Sequence, residues 1–185
     1  IDLADGVRLY GGFAGTEMLF EQRDIAGNET ILDGDGQGSV VVCATGYSQD
    51  TRIDGFTIRN GTGTQYADNT VYGGGIYCVG TSPAIANNKI TGNSAQSGGG
   101  ISHIGGGADM PCYIWNNVIE DNTADAGGGI WLGNQPNCHK VVQHNTISGN
   151  TAKVGGGIFT MNPTIIEDNT ITGNEGTGLA LVSWG

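Results

Sequence analysis

The sequence predicts an all-β solenoid, a single-stranded parallel β-helix with three short strands in each coil. Three observations predict it. First, the pattern Asn-x-Ile-x-x-Asn recurs at 88–93, 117–122, 145–150 and 169–174, with starts 29, 28 and 24 residues apart, a period that marks a solenoid. Second, a Gly-Gly-Gly-Ile segment ends at Ile76, Ile101, Ile130 and Ile158, with a worn copy at Gly178-Leu179. Third, the apolar stretches are too short and too glycine-broken for helices but fit half-buried strands.

Each coil supplies three such strands. One holds the Gly-Gly-Gly-Ile isoleucine. A second holds Ile85, Ile114, Val142 or Ile166, each three residues before the first Asn. The third holds Ile90, Ile119, Ile147 or Ile171. Equivalent residues of successive coils lie roughly 4.8 Å apart, so these isoleucines should form inward columns. Asn88, Asn117, Asn145 and Asn169, and likewise Asn93, Asn122, Asn150 and Asn174, should stack as two amide ladders at the bends. An amide both donates and accepts, and asparagine tolerates the left-handed backbone of a tight corner. The 35 glycines serve such corners too.

Spacing separates scaffold from decoration. The two ladder asparagines are always five residues apart, whereas Ile76 to Asn88 is 12, Ile101 to Asn117 is 16, Ile130 to Asn145 is 15 and Ile158 to Asn169 is 11. Extra residues enter where the chain leaves the stack. Segments 103–112 and 132–140 should therefore project side by side, and 61–73 from another corner. Upstream, 7–10, 30–33 and 40–43 read as strands, and 53–60 aligns with 85–92. The expected total is about six to seven coils, at roughly 4.8 Å each, in one domain over 1–185. Neither end shows a capping helix, which solenoids use, so a longer chain or an uncapped unit is expected.

A net charge of −11 with seven Lys and Arg argues against nucleic acid, whose binders carry a basic face. It argues less strongly against polyanionic sugars. No apolar run is long enough to span a membrane. The acidic, Asn-, Thr- and Gly-rich composition suits an extracellular or cell-surface protein.

The segments 6–17, 30–36 and 53–61, with the Gly-Gly-Gly-Ile and Asn-x-Ile-x-x-Asn coils, resemble right-handed parallel β-helix repeat proteins of the pectate-lyase-like superfamily. They also resemble the repeats of polymorphic outer-membrane adhesins. The resemblance covers nearly the whole chain. It implies a right-handed coil, as the crossover rule also does. It implies little about activity, because the superfamily holds lyases, hydrolases, esterases, adhesins and stalks.

Chemistry is sparse. The hydrolase signatures of that superfamily are absent, and paired carboxylates for glycoside hydrolysis do not stand out. A lyase base would have to come from Arg8, Arg23, Arg52, Arg59, Lys89, Lys140 or Lys153. Asp33 and Asp35 open a sequence like a calcium loop, but position twelve is Ala44 rather than glutamate; a solvated turn competes with a calcium site. No other cofactor is expected. His103, Asp109, His139 and Lys140 fall in the projecting loops, where a histidine pair for a metal competes with plain exposed polar residues. Cys112 and Cys138, in adjacent loops, are candidates for a disulfide. Cys43 and Cys78 share a register and read as core thiols in preference to a strained bridge.

The best binding signal is aromatic. Tyr77, Trp131 and Phe159 follow an inward isoleucine and should face out, and Tyr113 and Trp115 flank inward Ile114. Exposed aromatics stack on sugars or anchor partners; the competing expectation is that the loops fold over them. The sequence therefore supports a non-catalytic extracellular module (stalk, adhesin segment or fibre unit). Its partners would be adjoining coils or like subunits end to end. The alternative is a polysaccharide-binding or lyase-type domain.

Overall fold

The computed structural model describes residues 1–44, 50–106, 111–133, 138–161 and 164–181. Three parallel sheets of six strands each wrap one core. The first sheet contains Arg8–Tyr10, Arg52–Asp54, Ala84–Ala86, Cys112–Trp115, Lys140–Gln143 and Ile165–Glu167. The second contains Ile31–Asp33, Thr57–Arg59, Lys89–Thr91, Val118–Glu120, Thr146–Ser148 and Thr170–Thr172. The third contains Val41–Cys43, Ile76–Val79, Ile101–Ile104, Ile130–Leu132, Ile158–Thr160 and Leu179–Leu181. Strand order within each sheet follows the chain one coil at a time, which is the parallel β-helix.

Six strands per sheet make about five turns, slightly fewer than expected. The first coil consumes the difference. It carries segment 11–30, with a 3-10 turn at Phe20–Gln22, between its first two strands.

The columns are in direct register. Leu32, Ile58, Ile90, Ile119, Ile147 and Ile171 pair in succession. So do Ile53, Ile85, Ile114 and Val142, and Val41, Ile76, Ile101, Ile130 and Ile158. Ile58, Ile90, Ile119 and Ile147 are fully buried. Truncating one, as in Ile119→Ala, would cost about 3–4 kcal/mol in lost contacts and cavity.

Both asparagine ladders form, and each link repeats one geometry. Asn117 Oδ1 accepts from Asn88 N at 3.0 Å and Asn88 Nδ2 at 3.1 Å. Asn117 Nδ2 donates to Ile85 O, Trp115 O and Asn145 Oδ1, each at 3.0 Å. The second ladder repeats this through Asn93, Asn122, Asn150 and Asn174. The first ladder ends on the Phe56 amide and the second on the Gly61 amide.

One detail of the sequence reading is corrected. The ladder asparagines are not the left-handed residues. Those are the residues just before them: Asn87, Asn116, His144 and Asp168 at one bend, Gly92, Asp121, Gly149 and Gly173 at the other, all with φ between 54° and 65°. The ladder residue is left free to point its amide inward.

Two smaller pieces decorate the stack. Thr123–Ala126 and Thr151–Val154 pair in parallel beyond the second bend. Thr64–Gln65 and Val71–Tyr72 form an antiparallel hairpin within the expected 61–73 insertion.

Candidate functional site

The five aromatic candidates divide into two groups. Tyr77, Trp131 and Phe159 point outward from the third sheet as their register requires, yet all three are buried. The expectation that they stand exposed is corrected. The hairpin brings Tyr72 over the gap at Ser102, with its ring 6.0 Å from Tyr77 and 5.2 Å from Trp131. Together the four aromatics make a second apolar core outside the sheet. Tyr72 is fixed there by Tyr72 OH donating to Asp68 at 2.9 Å and by Gly73 N donating to Ser97 O at 3.0 Å.

Tyr113 and Trp115 remain open, Tyr113 at 42 % exposure and Trp115 half-buried. They sit two residues apart on Cys112–Trp115, so both side chains leave the same face of the first sheet. Their rings meet edge to face at 6.1 Å. The next coil places Val141 beside Tyr113 and Gln143 beside Trp115. Tyr113, Trp115, Val141, Gln143 and His144 line an open groove of about 320 Å³, at the small end of ligand sites, roughly 300–1,000 Å³. Arg52 stacks on Trp115, its guanidinium carbon 4.8 Å from the ring centre. The coil between them carries only Ala84 and Ala86, so Arg52 reaches across.

Arg52 is held by Asp54. The Asp54 carboxylate is buried and accepts from Arg52 Nε at 2.8 Å, Arg23 Nη2 at 2.8 Å and Asn87 Nδ2 at 3.0 Å. Arg23 in turn packs on Tyr10 and Phe20, at 5.3 and 5.0 Å. Segment 11–30 thereby seals one end of this face. Asp54 and its arginines were not legible as a cluster, because their juxtaposition needs the fold of an insertion without a repeat. Gln143 and the wall residue Val141 could have been found by reading one coil down from Tyr113 and Trp115.

The seven cationic side chains are all accounted for. Arg8 pairs with Asp50, and Arg23 and Arg52 pair with Asp54. Arg59 pairs with Asp33 at 2.8 Å, Lys89 with Glu120 at 3.0 Å and Lys153 with Asp125 at 2.7 Å. The Glu120 contact raises the Lys89 ammonium pKa. The seventh, Lys140, is only 2 % exposed.

Lys140 and His103 are not loop residues, which corrects the sequence reading. Lys140 begins a strand in register with Cys112, and His103 lies inside Ile101–Ile104. Both point into a polar edge of the core. His103 Nε2 donates to Thr81 O at 2.8 Å, and its Nδ1 has no partner. Burial, then the Lys140 charge, pushes the His103 pKa down to about 4. Lys140 Nζ donates to Gly133 O at 3.1 Å, and burial lowers its pKa. His139 is exposed, so no histidine pair forms. Asp109 lies outside the described residues.

The disulfide candidates Cys112 and Cys138 are not bridged. All four cysteines are free and buried. Cys112 Sγ points to Pro83 O at 3.5 Å, whereas Cys138 Sγ turns toward Ser82 Oγ at 4.0 Å and His139 O at 3.7 Å. Cys43 and Cys78 stack in register as small core residues, and their contact with one another, then burial, pushes the Cys78 thiol pKa up.

Asp33 accepts from Arg59 Nε at 2.8 Å, Asn60 Nδ2 at 2.9 Å and Asp35 N at 3.0 Å. Hydrogen bonds from Asn60, Asp35 and Arg59 lower its pKa to about 2. Asp35 is the left-handed turn residue, at φ 51°. Among the described residues no group of three or more metal-ligating side chains stands together.

A family described as the right-handed beta helix region matches residues 52–185. No curated protein and no solved structure matches the chain.

Proposed function

The chain belongs to the right-handed β-helix family, and on that premise we propose a non-catalytic module of the cell exterior, an adhesin-like or stalk segment. Its first sheet would present a polysaccharide-binding face. One observation carries this reading. Of five outward aromatics, Tyr113 and Trp115 alone stay open, edge to face over an unfilled groove. Aromatic side chains fixed on a strand offer apolar area to a sugar ring at little entropic cost. The engaged state of the cations supports binding over cleavage.

A glycan array followed by calorimetry tests the reading. Trp115→Ala is expected to weaken binding at least about tenfold, as loss of a central aromatic does. Phe159→Ala, on the covered face, should leave affinity unchanged in the folded fraction. A folded wild-type protein that retains no glycan, or that releases unsaturated sugars when calcium is added, would overturn it.

A second reading concerns partners. The inner columns are fully buried in the middle coils but only partly buried at Leu9, Leu32, Ile166 and Ile171. Adjoining coils or like subunits stacked end to end would cover these four. Sedimentation over a concentration series is expected to show self-association that Ile166→Asp with Ile171→Asp abolishes. A single species at all concentrations would reject stacking of like subunits.

A further inference from the structure

We infer that the groove beside Tyr113 and Trp115 takes an amino sugar, a glycan carrying free cationic amines. This rests on the reading of that face as a glycan platform and names its ligand class. Three observations point the same way. Two polar groups that line the groove, Gln143 and His144, face carboxylates of the next coil. Gln143 Nε2 donates to Glu167, and His144 Nδ1 lies 4.0 Å from Asp168 Oδ2. Glu167 and Asp168 are both exposed, and Glu167 lies one coil beyond the groove-lining Gln143 in the same column. Arg52, which stacks on Trp115, is hydrogen-bonded to Asp54.

The wider field agrees. The chain carries −11, and six of its seven cations are ion-paired to five carboxylates, Arg23 and Arg52 sharing Asp54. A surface of net negative charge concentrates cations and repels anions. A uronate chain would bring carboxylates against Glu167 and Asp168. A hexosamine instead offers an apolar ring face to Trp115 and an ammonium to Glu167 and Asp168 one coil on, and charge-assisted hydrogen bonds of that kind are the stronger ones.

Calorimetry at low salt in mildly acid buffer tests this with three probes of equal length: oligomers of glucosamine, of N-acetylglucosamine and of galacturonate. The glucosamine oligomer is expected to bind about tenfold or more tighter than its N-acetylated counterpart, with galacturonate silent. That preference should collapse in Glu167→Gln/Asp168→Asn, which keeps the shapes, and persist in Glu120→Gln/Asp121→Asn, which makes the same charge change on the second sheet. Equal binding of the acetylated oligomer would overturn the amino-sugar inference while leaving the glycan platform standing. Loss of preference in both double variants would reduce it to unspecific charge attraction and overturn it as well. Preferred binding of galacturonate would do the same. Silence of all three would remove the platform along with it.

Discussion

Asn117 shows how one residue sets a coil. Its side chain satisfies the Asn88 amide above, the Ile85 and Trp115 carbonyls beside it and the Asn145 carbonyl oxygen below. Asn117→Ala would strand these buried groups, and each unsatisfied group costs about 1–3 kcal/mol. The expected loss is therefore at least about 3 kcal/mol, read as a lower denaturation midpoint at unchanged slope. Asn117→Asp should be no better, because it removes the donors. His103 gives a second residue-scale test. Its folded pKa, about 4, lies below the ordinary 6.5, so the unfolded chain takes up the proton first. Stability should fall as pH drops from about 6.5 to about 4, by on the order of 3 kcal/mol, and level off below. His103→Leu, which copies Leu132 of the next coil, should flatten that window. An unchanged pH slope in the variant would show that other groups dominate there.

The Gly-Gly-Gly-Ile segment joins the second bend to the third sheet, and its glycines do different things. Gly98, Gly127 and Gly155 have φ of 73°, 66° and 64°. The next glycine is needed for space instead. A Cβ on Gly99 would stand 2.5 Å from Thr123 O and 2.6 Å from Gly128 O. Gly99→Ala should therefore cost several kcal/mol, beyond the roughly 1–3 of ordinary overpacking, because backbone cannot step aside. Gly92→Asn should be nearly neutral: its corner has nothing within 4 Å, and the equivalent Asn60 and Asp121 already adopt that φ. Thermal melts of the two variants check the contrast. The columns and ladders were legible because a repeat fixes what stacks on what. The period-two rule also placed Tyr77, Trp131 and Phe159 outward correctly. It could not show Tyr72 lying across them, since that depends on where a hairpin folds. The pairing of Thr123–Ala126 with Thr151–Val154 was missed for a related reason: Thr-Ala-Asp-Ala and Thr-Ala-Lys-Val carry too little apolar signal to read as strands.

At the scale of the whole molecule, the solenoid is a rigid frame whose three faces have been finished differently. The third is sealed by its own aromatic core. The second carries Lys89–Glu120 and Arg59–Asp33 pairs among threonines. The first keeps a groove open beside two aromatic rings. The lysine and histidine counted as loop residues illustrate the limit of sequence at this scale. A charged type near a glycine-rich loop reads as exposed, and only the register of Lys140 with Cys112 reveals that it enters the core. The first face is the point on which the functional account turns. An amide NMR titration with glucosamine oligomers addresses it directly. Shifts confined to Tyr113, Trp115, Val141, Gln143, His144 and their strand neighbours are the predicted result. Shifts centred on the threonine face of the second sheet, or none at all, would contradict it.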